Sequence, residues 1–409
     1  MPQPPVSSSS RSFQFRQADI HDLAVRQILP LERFDALFRA LFGCYRAGMK
    51  HPASIGIVMH DFPLGGTERI ALRLAREWIS RGVAVTIFCG DARGPLRAMV
   101  PEGARLVAAE PPVPRAPRSR QRLGRVAARH FAAHPVDALF VTGNFHWEVV
   151  PALSRVRPRP TILVQISSPL EMPRRRRLRQ VLFRRRMRRL LARADGLIAM
   201  DEAARRSADA MMKRPMATTI PLPALDDDRP PAGPASGRLI FAAGRLIHQK
   251  GFDLLIEAFR QLGDRDARLV IAGSGPEEEA LRRQISAAGL ADRVRLAGYT
   301  PDIRPLLDQA RLFVLPSRFE GYGAVIIEAL GAGRPVIATA STPAVEDVLT
   351  DPARGLVVPI EDVTALTHAL RELLDRPAPA PAALAEAVAS YRIGAGATAY
   401  LDLFARAKS

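Results

Sequence analysis

Two series of short apolar runs, each run followed by a helix-like stretch, constrain this chain more than any other feature. The first series takes in residues 54–60 (SIGIVMH), 83–89 (VAVTIFC), 138–142 (ALFVT), 161–166 (TILVQI) and 196–200 (GLIAM). The second takes in residues 238–243 (RLIFAA), 268–272 (RLVIA), 293–297 (RVRLA), 311–315 (RLFVL), 335–339 (PVIAT) and 355–358 (GLVV). Runs this short, bounded by turn residues, read as strands buried on both faces. Strands alternating with helices require parallel pairing, because the crossover helix must cover the sheet. Residues 221–237 (PLPALDDDRPPAGPASG) interrupt the rhythm with the composition of a linker. The expected class is therefore α/β, with two doubly wound halves facing across a cleft. Open parallel sheets bind ligands beyond the carboxyl ends of their strands, so the cleft is the expected site.

This rhythm divides the chain. Residues 1–52 hold a Pro/Ser-rich tail and a short amphipathic helix with Phe34, Leu37, Phe38, Leu41, Phe42 and Tyr45 on one stripe. That stripe suits docking onto the body or lying in a membrane interface. Residues 53–225 form the first half and 226–391 the second. A terminal helix, near 395–407 in the segment 392–409, is expected to pack back on the first half.

Charge is unevenly shared. The chain has 59 Lys/Arg and 41 Asp/Glu, a net of +18. Residues 226–390 carry 18 basic and 23 acidic residues, a net of −5, so the remainder carries a net of +23. A half so basic is expected to approach a polyanion. Residues 174–193 (RRRRLRQVLFRRRMRRLLAR) concentrate the effect with eleven arginines. Leu178, Val181, Leu182, Met187, Leu190 and Leu191 interrupt them at roughly helical spacing, a pattern suited to anionic headgroups or to a solvated surface helix. With Phe183 its lone aromatic, the segment lacks the series of stacking rings expected for nucleic acid. No apolar run approaches the ~18 residues of a spanning helix, and the N-terminal residues lack the apolar core of a signal peptide. Cys44 and Cys89 have no redox or metal-ligand spacing and read as reduced structural thiols.

Two loops carry chemistry. Residues 244–251 (GRLIHQKG) open with Gly244 after a strand and place Arg245 and Lys250 five residues apart, just before a helix. A helix start offers free N–H groups and a positive dipole end; a guanidinium and an ammonium beside it suit a phosphate. Residues 316–328 (PSRFEGYGAVIIE) follow another strand, with Glu320 in the loop and Glu328 inside the next helix. Carboxylates suit paired hydroxyl donors, and Gly321 and Gly323 admit close backbone approach around Tyr322. Gly273-Ser274-Gly275 reads as a tight turn between strand and helix rather than a phosphate site, with Glu277, Glu278 and Glu279 favouring the first helical turn.

Together, GRLIHQKG and PSRFEGYGAVIIEALGAGRPVIA resemble the retaining glycosyltransferases of family 4, the glycosyl transferases group 1, which have the GT-B fold. The resemblance covers Arg238 to Leu370 and, more weakly, the first half. It implies that Arg245 and Lys250 hold the diphosphate of a nucleotide-sugar donor and that Glu320 lies against the transferred sugar. The amides around Gly321, Tyr322 and Gly323 would position the sugar, and Glu328 would bind the ribose hydroxyls. Gly65 and Gly66, in GGTER, resemble the family's N-terminal glycine loop across the cleft. His146 sits where the family often has a histidine facing the donor sugar, and His60 ends the first strand with similar promise.

The implied activity is a hexosyltransferase reaction from a UDP- or GDP-linked sugar to a saccharide or lipid-linked saccharide in cell-surface polysaccharide assembly. The nucleotide-sugar is a co-substrate, and neither cofactor nor metal is expected. An anionic membrane surface at the cytoplasmic face is the expected partner, and nucleic acid is not. A sugar-nucleotide epimerase of the same fold and a non-catalytic membrane-associated module are the alternatives.

Overall fold

The computed structural model describes residues 51–167, 170, 177–235 and 237–408. The stripe expected at 34–45 and Cys44 lie outside the described residues. The apolar runs of the first half form strands β1 (Ser54–Met59), β2 (Ala84–Cys89), β4 (Ala138–Val141), β5 (Thr161–Gln165) and β6 (Gly196–Ala199). Two edge strands join them, β3 (Arg105–Ala108) and β7 (Ala217–Thr219), giving the order β3-β2-β1-β4-β5-β6-β7. The second half pairs β8 (Leu239–Ala243), β9 (Arg268–Ala272), β10 (Val294–Leu296), β11 (Leu312–Leu315), β12 (Val336–Thr339) and β13 (Gly355–Val358) in the order β10-β9-β8-β11-β12-β13. Every pairing is parallel; Ile57 lies opposite Ile87 and Phe140, and Phe241 opposite Val270 and Phe313. β3 and β7 escape a reading of apolar runs because an edge strand is only half covered. Their residues are exposed or half-buried rather than buried.

The helices that place the site are α1 (Gly66–Ser80), α2 (Ser119–Ala133), α3 (Arg177–Leu191), α4 (Phe252–Leu262), α5 (Ala324–Gly331) and α6 (Ile393–Lys408). In α1, Ile70, Leu74 and Trp78 recur every four residues and are buried, so one stripe faces the sheet. The terminal helix α6 covers the same place. Tyr400 and Phe404 pack on Trp78 with ring centres 6.1 and 6.3 Å away, and Tyr400 also meets Phe140 at 5.4 Å. The Gln165 amide donates to the Tyr400 hydroxyl at 3.2 Å.

The helix α3 divides its apolar residues. Met187 and Leu191 are buried and Phe183 and Leu190 pack beside them, whereas Val181 and Leu182 are 47% and 56% exposed. One side is thus docked on the first half, with Arg186 paired to Glu148 at 2.5 Å. Cys89 ends β2 in the core, where burial pushes its thiol up to about 12. Among the described residues no helix is long and apolar enough to cross a membrane.

Each sheet has one place where neighbouring strands lead their chains away in opposite directions: between β1 and β4, and between β8 and β11. The loops leaving those strands diverge and open a crevice at the carboxyl edge. They are residues 60–65 and 142–149 in the first half and 244–251 and 316–323 in the second.

Candidate active site

The loop 244–251 is held by backbone contacts on both sides. The Gly244 N–H donates to the Ala272 carbonyl at 2.9 Å, Leu246 N–H to Ser274 at 2.9 Å, and Glu277 N–H back to Leu246 at 3.0 Å. The glycine turn 273–275 makes this approach possible: a Cβ on Gly273, at φ 149, or on Gly275 would run into the carbonyls of Gly244 and Leu246. That turn supports the cation-bearing loop.

The second loop is stapled to the first. Arg318 donates to both carboxylate oxygens of Asp253 at 2.8 and 2.7 Å, to the His248 carbonyl at 2.8 Å and to Glu361 at 2.8 Å. Its own N–H reaches the Gln249 carbonyl at 2.8 Å, and the Gln249 amide reaches the Phe319 carbonyl at 2.7 Å. Gly251, at φ 65, packs so tightly on the Pro316 carbonyl that a Cβ has no room.

This stapling brings Lys250 and Glu320 together. Lys250 Nζ lies 2.5 Å from Glu320 Oε1, which also accepts from Ser317 Oγ at 2.6 Å. The pair is well covered, with side chains 15% and 8% exposed. Arg245 is exposed, and its guanidinium has no ion pair or hydrogen bond among the described residues. The helix α5 begins at Ala324 with Gly323 as its cap at φ 80 and no side-chain cap. The amides of Gly321, Tyr322, Gly323 and Ala324 are without partners among the described residues, so a helix N-terminus with open donors stands beside the lysine.

Glu328 lies apart from that cluster. It is 3.9 Å from Arg73 of α1, on the wall of a cavity of about 60 Å³ lined also by Asp226, Arg229 and Asp302. Burial raises its carboxyl above the usual range against the pull of Arg73 and Arg69. The Tyr322 ring points the other way, its hydroxyl donating to the Met200 carbonyl of the first half at 3.3 Å.

In the first half, Gly65 caps α1 at φ −120 and Gly66 is its first residue, with open space where a side chain would stand. The Glu68 carboxylate folds back onto Gly65, and burial raises its pKa. Spacing alone does not single out Glu68, although a carboxylate three residues past a cap is a known helix-start signal.

His146 stands beyond the end of β4 among backbone partners. It is buried, its Nδ1 lies 2.6 Å from the Thr142 carbonyl, and its Nε2 accepts from the His60 N–H at 3.0 Å. Both nitrogens have partners in the protein, so the ring ties the ends of β1 and β4 together. Burial lowers its pKa to about 4. His60 is fully buried too, with Nε2 at 3.2 Å from Ser119 Oγ.

Two parallel sheets, each with a crevice at its strand ends, and a covered lysine–glutamate pair beside open helix amides define an α/β protein of GT-B architecture. Residues 226–390 match the model of the glycosyl transferases group 1, and residues 64–221 that of glycosyltransferase family 4. The chain belongs to this family of glycosyltransferases. A stretch of 155 residues is 36% identical to alpha-D-kanosaminyltransferase from Streptomyces kanamyceticus, covering 37% of this chain and 38% of that one. A stretch of 141 residues is 33% identical to the lipopolysaccharide core biosynthesis glycosyltransferase LpsE of Rhizobium meliloti (strain 1021), covering 34% and 41%. The matches thus span about two-fifths of these curated relatives. The fold superposes on that of Anabaena HepE in complex with UDP-glucose with a TM-score of 0.68, over 86% of this chain and 100% of that one, at 17% identity.

Proposed function

We propose that the protein transfers a hexose from a UDP- or GDP-linked donor to a saccharide or lipid-linked saccharide, with retention at the anomeric carbon, in cell-surface polysaccharide assembly. The observation that carries this reading is the Lys250–Glu320–Ser317 cluster beside the open amides of Gly321 to Ala324. The donor diphosphate sits between Arg245, Lys250 and that helix start, where fixed donors stabilise the charge that grows as the C1–O bond breaks. Glu320, oriented by Lys250 and Ser317, accepts hydroxyls of the sugar, and Glu328 accepts those of the ribose. Acceptor binding falls to the basic first half. The exposed side of α3, with Val181 and Leu182 among arginines, rests on anionic lipid at the cytoplasmic face, each surface cation adding ~1 kcal/mol.

The test is a screen of UDP- and GDP-sugars for protection against thermal unfolding, followed by NMR of the product's anomeric proton. Protection by a nucleotide-sugar and an unchanged anomeric configuration support the reading. An inverted product removes retention, and product formed without an acceptor points to epimerase chemistry. Failure of every nucleotide-sugar to bind removes the donor assignment.

A further inference from the structure

Where β1 and β4 end, an exposed aromatic ring is held among guanidinium groups. Phe145, in the short turn Asn144–Val149, is 37% exposed. The guanidinium carbons of Arg115 and Arg120 lie 4.6 and 5.0 Å from its ring centre, within cation–π range. His60 packs 5.8 Å from the same ring and, through Ser119, joins the end of β1 to the first residue of α2. Phe145 and Arg120 therefore stand beyond a strand end and in the first turn of a 15-residue helix, and Arg115 reaches the ring from the loop before that helix, held by Asp61.

Those cations are only partly neutralised. Arg115 gives Nε and Nη2 to Asp61 at 2.8 and 2.6 Å, leaving Nη1 without a partner among the described residues. Arg120 Nη2 is 3.1 Å from Glu148, a carboxylate it shares with Arg186. Three guanidiniums thus face two carboxylates. Arg118 caps α2 from an exposed position at φ 60, and the amides of Arg120 and Gln121 are without partners among the described residues. Asp61, the partner of Arg115, lies in the same 60–65 loop as Gly65, so the cluster borders the glycine loop. A merely solvated basic patch needs neither an aromatic platform nor buried anchors.

We infer that this cluster is an oxyanion subsite for the acceptor, and that the acceptor carries a phosphate or carboxylate group near the hydroxyl that receives the sugar. The inference rests on the reading of the first half as the acceptor side. Arg115 Nη1, the free nitrogens of Arg120 and the first-turn amides of α2 are the donors. Phe145 is a positioning residue that holds the two guanidiniums.

The experiment compares binding of glucose 6-phosphate, glucuronate and glucose to the full-length protein by calorimetry at low salt. The wild type is set beside R115Q/R120Q, F145L and R245Q. The expected result is at least tenfold tighter binding of a charged sugar than of glucose, abolished in R115Q/R120Q, weakened severalfold in F145L and retained in R245Q. Which charged sugar is preferred distinguishes phosphate from carboxylate. Equal binding of charged and neutral sugars by the wild type overturns the inference. A preference lost in R245Q but kept in R115Q/R120Q also overturns it, since the anion then occupies the donor loop. Should R115Q/R120Q not fold, F145L and the wild-type comparison decide. UDP and GDP are titrated separately: absence of nucleotide binding refutes the donor reading without altering the sugar comparison.

Discussion

Replacing Lys250 with alanine separates the structural work of the lysine from its chemical work. In the fold, the change leaves Glu320, 8% exposed, with the Ser317 hydroxyl as its remaining side-chain donor. Orphaning one member of a buried ion pair costs ~3–5 kcal/mol. Here the lysine keeps 15% exposure and Ser317 still donates, so the expected cost falls to about 2 kcal/mol. In the proposed reaction, the change removes a fixed cation beside the departing diphosphate. Deleting one such preorganised donor lowers turnover by roughly 10²–10³. The two effects part company in K250A/E320Q, where no carboxylate is orphaned: stability returns most of the way while turnover at saturating donor stays low. Urea unfolding followed by circular dichroism reads the first effect and initial rates read the second, the dichroism being chosen because Trp78 and Trp147 both report the first half. A K250A protein with an unchanged urea midpoint and turnover within threefold of wild type would refute the reasoning on both counts.

Three further outcomes are expected. His146 is held neutral in the fold near pKa 4 and returns to about 6.5 when unfolded, so the unfolded chain binds the extra proton between those values and stability drops as pH falls below 6.5. The loss at pH 5 is about 2 kcal/mol, and urea titrations at pH 5 and 7.5 should show it in wild type and largely miss it in H146N. G251A forces a side chain into a left-handed conformation, at ~1–2 kcal/mol, and against the Pro316 carbonyl. The loops 244–251 and 316–323 then separate, and on the proposed donor assignment nucleotide affinity by calorimetry should fall more than tenfold. W78A empties the space under Tyr400 and Phe404 and should cost ~3–5 kcal/mol, with α6 becoming a site of rapid proteolysis.

The parts of this molecule legible without coordinates are those whose signal is local. Buried parallel strands are unbroken apolar runs, so the central strands stand out, while β3 and β7 do not, being half exposed. The cation loop and the Glu320 loop are legible because each is a short segment between a strand and a helix. Ser317 and Arg318 lie in that second loop with nothing in the neighbouring residues to mark a role. Their roles come from partners such as Glu320, Asp253 and His248, and all but Glu320 lie about 65–70 residues away in the chain. For His146 the position after β4 is legible but the burial is not: the depth of the turn covers the ring and gives both nitrogens backbone partners.

The amino-acid sequence by itself determined the two doubly wound halves and the family, since hydrophobic period and loop motifs are written in neighbouring residues. The tertiary structure alone decided that Lys250 pairs with Glu320, that Tyr322 turns to the first half and that Phe145 gathers Arg115 and Arg120 at the opposite crevice. Those contacts depend on which strand ends lie side by side in each sheet, and strand order follows from packing the whole sheet rather than from any single segment.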